Sequence, residues 1–129
     1  MKSKQPKILI VEDTKIAQTI AKMVLKTLGC ETDIAETGQT ALDYVSRTNY
    51  DMILMDIGLP DTDGFTITET IRNGKTKNAT KPIIALTAHA DAFIKEQHRS
   101  QVTSEIIAKP FTEDKAKTLL AKYLNYRYK

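Results

Sequence analysis

The stretch ILMDIGLPDTDGF, residues 53–65, indicates both a buried strand and the point at which that strand ends. Three large apolar side chains stand directly before the carboxylate of Asp56, and the glycines and the proline that follow prevent a regular continuation. A carboxylate at the tip of an apolar strand is costly unless it is paired, hydrogen-bonded or bound to a cation. We therefore expect other parts of the chain to supply partners for Asp56.

Segments of strand and helix type alternate along the rest of the sequence. Short apolar runs predict strands at 7–11, 31–35, 52–55, 82–86 and 105–108. Helical spacing predicts five helices: from Ile16 to Leu28, from the N-cap Thr37 to Val45, from Phe65 to Ile71, from Ala88 to Arg99 and from Thr112 to about Asn125. A polar loop is predicted over 73–80. Five such alternations predict a doubly wound α/β domain, in which helices cover both faces of a five-stranded parallel sheet.

Length and composition are those of one globular domain. The 129 residues are 41% hydrophobic and 27% charged, which argues against disorder, and we expect a single domain over residues 1–129. No apolar run reaches the roughly 18 residues that span a bilayer, so we expect a cytoplasmic protein without membrane association. The single cysteine, Cys30, excludes an internal disulfide framework and is expected to be an inert small hydrophobe.

The net charge of +3 hides an uneven distribution of charge along the chain. Residues 1–71 carry a net charge of −4, whereas residues 72–129 carry a net charge of +7. The late basic residues alternate with acidic and apolar ones and do not form a block. This spacing is typical of solvated helix faces, and nucleic-acid binding by this chain alone is not expected.

Polar side chains follow the predicted strands at one edge of the sheet, where ligands of such folds bind. Glu12 and Asp13 follow the first strand, Asp56 ends the third, and Thr87 and Lys109 follow the fourth and fifth. Carboxylates gathered there repel one another unless a cation lies among them, and hard oxygen ligands suit Mg²⁺.

This set of side chains suits phosphoryl transfer. A phosphoryl group could lie between Mg²⁺ and Lys109 and accept a hydrogen bond from the Thr87 hydroxyl. Asp56 is then the natural nucleophile, and attack by its carboxylate would give an acyl phosphate.

Four motifs together resemble the receiver domain of two-component response regulators, over essentially the whole chain. They are EDT at 12–14, MDIGLPDTDG at 55–64, PIIALTAHA at 82–90 and AKPF at 108–111. The resemblance implies the flavodoxin-like strand order 2-1-3-4-5. The motif ALTAHA at 85–90 is similar to the corresponding motif of receivers that are associated with hybrid sensor kinases.

The resemblance also implies roles for individual residues. Asp56 would be phosphorylated by a sensor histidine kinase or a histidine phosphotransfer domain, and a downstream effector protein would read the result. Mg²⁺ would be held by Asp13, Asp56 and the backbone carbonyl of Gly58, with Glu12 contributing through water. Lys109 would pair with the phosphoryl group, Pro110 would follow a cis peptide bond, and Thr87 would move toward the phosphate. Such a domain is a phosphoacceptor switch with slow self-catalysed reactions and is not an enzyme.

Two positions depart from the family pattern, and two others are variable in it. Ile106 stands where the family usually has an aromatic switch residue, and Val102 where it usually has glycine. Gly58 and His89 occupy positions that tune attack of water on the acyl phosphate. The missing aromatic ring supports an alternative interpretation, in which the chain is a receiver-like interaction module with constitutive or atypical output.

Other classes of site fit the sequence poorly. In a calcium loop aligned on Gly64, Leu59 would take the first ligand position and Thr70 the last. The turn is better explained if Asp61 and Asp63 are local hydrogen-bond acceptors. A phosphatase of the haloacid dehalogenase type would need a second aspartate at Gly58, and the sequence has no glycine-rich nucleotide loop.

Overall fold

Strands form where the sequence carries its apolar runs. The computed structural model describes residues 5–88 and 102–128. The strands are β1 (Lys7–Val11), β2 (Glu31–Ala35), β3 (Met52–Asp56), β4 (Ile83–Thr87) and β5 (Glu105–Ala108). All pair in parallel, in the order β2-β1-β3-β4-β5. The predicted doubly wound sheet with order 2-1-3-4-5 is confirmed.

The helices of the described residues are α1 (Lys15–Thr27), α2 (Gly38–Arg47), α3 (Gly64–Arg72) and α4 (Glu113–Leu124). A hydroxyl or carboxylate at the N-cap accepts a backbone N–H in three of them, through Thr37, Asp63 and Thr112, and so satisfies an otherwise unpaired donor. The helix expected over 88–99 lies outside the described residues from His89 onward. Among the helices that are described, none is both long and apolar enough to cross a membrane.

Alternate residues of the central strands face two separate hydrophobic clusters, one on each side of the sheet. Ile8, Ile10 and Leu54 belong to the cluster covered by α1 and α4. Leu9, Val11, Ile53 and Met55 belong to the cluster covered by α2 and α3. Burial on both faces explains why these strands read as continuous apolar runs.

Helix α1 forms as predicted, but several of its apolar side chains that recur at helical spacing face the solvent. Ile16, Ile20 and Met23 are 73%, 40% and 63% exposed. The buried residues of α1 are Gln18, Ala21 and Leu25. The sequence alone cannot distinguish an outward from an inward apolar stripe when both have helical spacing.

The segment predicted as the polar loop 73–80 is in part ordered core. Residues Lys77–Thr80 form a 3₁₀ helix, and Asn78 is completely buried. Its side chain accepts a hydrogen bond from the Tyr50 backbone N–H and donates to the carbonyls of Val45 and Thr48. The prediction of a plain loop was therefore wrong for these residues, because a buried amide was read as a surface residue.

The residues after α4 also lie on the body of the domain. Asn125 ends the helix in the left-handed conformation, with φ of 52°. Tyr126 then packs against the core cluster beneath α1 and donates from its hydroxyl to the carbonyl of Leu28 at 2.8 Å. The packing of Tyr126 places this tail against the sheet face that α1 and α4 cover.

Candidate functional site

Strand register brings the polar residues of the site to one edge of the sheet. Val11 of β1 pairs with Met55 of β3. Glu12 and Asp56 directly follow these two residues, so they lie side by side at the same edge of the sheet. Thr87 pairs with Ala108 at the ends of β4 and β5, and the backbone N–H of Lys109 donates to the Thr87 carbonyl at 2.8 Å. Residues up to 97 positions apart in sequence thus meet at one rim.

Three carboxylates cluster at this rim. Glu12, Asp13 and Asp56 each offer an oxygen atom, and these oxygens lie within 4.8 Å of one another. Glu12 and Asp56 are only 2% and 6% exposed, whereas Asp13 is open to solvent. Two buried anions beside a third, exposed one form a site that attracts a cation.

Lys109 supplies the positive charge next to the two buried carboxylates. Its Nζ lies 2.8 Å from Glu12 Oε1 and 3.4 Å from Asp56 Oδ1. One ammonium therefore neutralises part of a cluster of three negative charges, and the negative charge left over can be balanced by a bound cation.

Burial and charge shift the pKa values of these groups in different directions. Burial, followed by repulsion from Glu12, raises the pKa of Asp56. Burial also opposes ionisation of Glu12, but the Lys109 ammonium and the Thr14 N–H together hold the pKa of Glu12 below its usual value. For Lys109, burial favours the neutral amine, yet the two carboxylates outweigh it and raise its pKa. Glu12 and Lys109 thus form a stable ion pair, whereas ionisation of Asp56 is unfavourable in the folded state.

Glu12 is held through both its carboxylate and its backbone carbonyl by residues at the start of α1. Thr14 donates its N–H to Glu12 Oε2 at 3.1 Å, and Gln18 donates from Nε2 to the Glu12 carbonyl at 2.7 Å. Gln18 is 5% exposed on an otherwise apolar helix face. The sequence did not predict this role, although a polar residue among the buried positions of α1 was the available signal.

The turn after Asp56 folds back on the carboxylate. Gly58 donates its N–H to Asp56 Oδ1 at 3.1 Å and pairs with Asp63 in an isolated antiparallel bridge. The turn closes on Gly64, whose N–H donates to the Ile57 carbonyl at 2.9 Å. A Cβ atom at Gly64 would collide with the Asp56 carbonyl oxygen and come within 2.9 Å of Met55 Cγ, so only glycine lets the loop pass this close to β3.

Lys109 is held in place by a second lysine that sequence reasoning missed. Lys115, in the first turn of α4, donates from Nζ to the carbonyl of Ala108 at 2.7 Å and to that of Pro110 at 3.0 Å. These carbonyls flank Lys109, and the Lys109–Pro110 peptide bond is cis, as the resemblance implied. The sequence carried no signal for this contact beyond a lysine near a helix N-terminus, where a cation is usually unfavourable.

The rim fits a divalent cation of the magnesium type. Its donors are carboxylate oxygens, which hard cations prefer, and the Lys109 ammonium balances only part of the charge of the three that converge here. Gly58 is exposed, and an added Cβ atom would meet nothing within 4 Å, so the turn leaves space beside Asp56. Among the described residues, Glu12, Asp13 and Asp56 are the carboxylates at this rim that could hold the ion.

Five further positions were singled out in the sequence, and four of them lie among the described residues. Thr87 is 5% exposed at the end of β4, the strand next to Asp56. Ile106 is partly buried in β5, and the Val102 carbonyl accepts a hydrogen bond from Arg72 Nε at 2.8 Å. His89 lies outside the described residues. Cys30 is buried in the core, and burial raises the pKa of its thiol to about 11, which fits the inert role expected for it.

Comparison of the sequence with known proteins gives one family model and several relatives that match most of this chain. A family model described as the response regulator receiver domain matches residues 8–121. The transcription factor SKN7 of Candida albicans is 36% identical over 117 residues, which are 91% of this chain and 20% of that protein. The osmosensing histidine protein kinase SLN1 of Saccharomyces cerevisiae is 39% identical over 91% of this chain and 10% of its own length. The chain thus spans about a fifth or less of these curated relatives.

A solved structure resembles this fold over nearly its whole length. The receiver domain of the sensor histidine kinase PA1611 from Pseudomonas aeruginosa superposes with a TM-score of 0.83 and 31% identity, covering 95% of this chain and all of that one. That structure has a magnesium ion coordinated in its active-site cleft.

Proposed function

This chain belongs to the response regulator receiver domain family, and on that premise we propose that it is a signalling switch that accepts a phosphoryl group on Asp56. One observation carries the proposal. The buried Asp56 carboxylate lies beside two other carboxylates and 3.4 Å from the Lys109 ammonium, which is a site for a divalent cation and a transferring phosphate. The 129 residues would form one such domain, in the cytoplasm.

The reaction forms one bond and breaks another. A carboxylate oxygen of Asp56 attacks phosphorus, and the bond from phosphorus to a histidine nitrogen of the donor breaks, with its electron pair passing to that nitrogen. The product is an acyl phosphate on Asp56. Burial raises the pKa of Asp56, which strengthens the carboxylate as a nucleophile, and the Lys109 ammonium stabilises negative charge on the phosphoryl oxygens.

Mg²⁺ held by Asp13, Asp56 and the Gly58 carbonyl, with Glu12 contributing through water, would supply charge neutralisation for the incoming phosphoryl group. Glu12 would also orient Lys109, since the two side chains form the shorter of the ion pairs at 2.8 Å. Thr87 would donate its hydroxyl to the phosphoryl group and so favour the phosphorylated conformer, in which the surface offered to a downstream effector changes. Release of phosphate would be slow self-catalysed hydrolysis and not enzymatic turnover.

Small-molecule phosphorylation tests this function. Incubation with acetyl phosphate and Mg²⁺ is expected to add one phosphoryl group per chain, as read by intact-mass spectrometry, and EDTA is expected to prevent it. Borohydride reduction followed by peptide mapping should place the modification on Asp56. If no mass is gained, or if the modified residue is elsewhere, the proposal is wrong and the alternative of an interaction module with constitutive or atypical output is favoured.

The outward face of α1 supports a protein donor of the histidine kinase or histidine phosphotransfer type. Ile16 and Ile20 line an apolar groove of about 470 Å³ that continues to Lys109, Pro110 and Phe111. Helix α1 carries three lysines and no acidic residue. An apolar groove beside the phosphoacceptor, with lysines on the same helix, fits a donor that presents apolar side chains ringed by acidic ones.

Replacing Ile16 by serine is therefore expected to slow phosphotransfer from a histidine phosphotransfer domain about tenfold, because a contact worth roughly 1.4 kcal/mol is lost. Acetyl phosphate needs no docking surface, and its rate should not change. Tyr128→Ser is the matched control, since Tyr128 is another large apolar side chain that is strongly exposed, at 57%. Equal slowing with both donors would show that the variant damages the site and that the groove is not a docking surface.

A further inference from the structure

Asp61 lies in the loop between β3 and α3, yet its carboxylate caps a different helix. Its Oδ1 accepts the Gly38 backbone N–H at 2.9 Å, and its Oδ2 accepts the Gln39 N–H at 3.1 Å. Both donors belong to the first turn of α2, which already has a local cap in Thr37. The sequence predicted Asp61 as a local acceptor, and this second role, across more than twenty residues, was not predicted.

The contact between the loop and α2 is close as well as polar. A Cβ atom built on Gly38 would come within 2.9 Å of Thr62 Cγ2 and 2.6 Å of Ile67 Cδ1. The start of α2 therefore packs directly on the loop and on α3. The Gly38 amide is the main cause that lowers the pKa of Asp61, so the carboxylate stays charged and well matched to the positive end of α2.

The same loop directly follows the phosphoacceptor Asp56 and contains Gly58. Gly58 donates to Asp56 Oδ1 and pairs with Asp63, and Gly64 donates to the Ile57 carbonyl. Both ends of the loop are thus fixed to β3 and to α3. Asp61 lies between these fixed ends and ties the middle of the loop to a third element.

We propose that Asp61 is a positioning residue that couples the phosphoacceptor site to α2. By tying the loop to the first turn of α2, it holds the Gly58 carbonyl where that group can serve a divalent cation. Metal binding and phosphorylation in turn stabilise the first turn of α2. The inference rests on the proposed function, because it takes the rim of Glu12, Asp13 and Asp56 to be the metal site.

Coupling between two sites is reciprocal, which makes the inference testable from both ends. Asp61→Ala is expected to weaken Mg²⁺ binding about 10-fold, as replacement of groups that orient metal ligands typically does, measured by isothermal titration calorimetry. Hydrogen exchange followed by NMR is the second measurement. In the wild type, Mg²⁺ with beryllium fluoride should slow exchange of the Gly38 and Gln39 amides, and in Asp61→Ala it should not.

Glu69→Ala is the matched control, because it removes an exposed carboxylate from α3, away from the loop and from the first turn of α2. It should bind Mg²⁺ as the wild type does and show the same slowing of exchange. Wild-type Mg²⁺ affinity in Asp61→Ala overturns the inference. If the wild type itself binds no Mg²⁺, the proposed function is what fails. Should Asp61→Ala not fold, Asp61→Asn, which keeps one acceptor oxygen, is measured in its place, and unchanged affinity there overturns the inference equally.

Discussion

Asp56→Asn is expected to abolish phosphorylation by acetyl phosphate and, at neutral pH without metal, to make the domain more stable. The first effect follows because an amide oxygen is a far weaker nucleophile than a carboxylate, so no acyl phosphate forms. The second follows from the burial of the Asp56 charge and, after it, from the crowding of charge at the rim. Asparagine keeps the shape of the side chain and its acceptor oxygen for the Gly58 N–H, but it removes one buried negative charge beside Glu12.

The direction of the stability change follows from the pKa. Burial, and then Glu12, raise the pKa of Asp56, so the folded state holds this proton more tightly than the unfolded state does. The wild type therefore loses stability as the pH rises from the unfolded pKa to the folded one, and above both values the penalty is fully present. We expect the variant to gain on the order of 1 kcal/mol at pH 7, and the gain should shrink as the pH falls through the folded pKa and vanish below the unfolded pKa.

Urea denaturation in EDTA at pH 7 and at acidic pH measures this difference. Glu69→Gln, which neutralises an exposed carboxylate on α3, is the control and should leave stability nearly unchanged. Added Mg²⁺ should stabilise the wild type, since a ligand that binds only the folded state raises the free energy of unfolding. It should have little effect on Asp56→Asn. A variant that is less stable than the wild type at pH 7 would contradict the view that burial and the nearby Glu12 make the charge of Asp56 costly in the folded state.

Periodicity and strand-end residues were enough to predict the parallel sheet and the rim, whereas the strand order came from the resemblance to the receiver domain. Strand ends can be read locally, because an apolar run stops at a charge or a glycine, and parallel strands must bring those ends together. Glu12, Asp56 and Lys109 therefore meet as predicted, and the Lys109 ammonium lies 2.8 Å from Glu12 and 3.4 Å from Asp56. Their chemical roles remain predictions that the phosphorylation experiments test.

Contacts that depend on the facing element could not be read from the sequence. Asp61 carries a local turn signal, and nothing in its neighbourhood indicates that α2 will lie within hydrogen-bond reach. Ile16 has the spacing of a core residue and is exposed because Ala21 and Leu25 occupy the inward face of α1. Each of these outcomes is decided by which surfaces pack together, and a pattern within one segment does not contain that information.

Asn78 shows how large the effect of such a contact can be. The side chain is completely buried, and its amide joins the end of α2 and the start of β3 to the 3₁₀ helix through three hydrogen bonds of 2.8 to 2.9 Å. The Oδ1 accepts from Tyr50 N–H, and the Nδ2 donates to two carbonyls. A side chain that both accepts and donates is required here, and asparagine meets that need with no charge to bury.

Asn78→Ala is accordingly expected to lower the free energy of unfolding by about 3 kcal/mol, because it leaves two buried backbone groups and a partly buried one unpaired and opens a small cavity. Asn78→Asp should cost at least as much, since a carboxylate cannot donate to the Val45 and Thr48 carbonyls and would bring a buried charge. Chemical denaturation measures both changes. Asn49→Ala, which alters an exposed asparagine just before Tyr50, should shift stability by less than about 0.5 kcal/mol, and a similarly small loss in Asn78→Ala would mean that water or a local rearrangement replaces the amide.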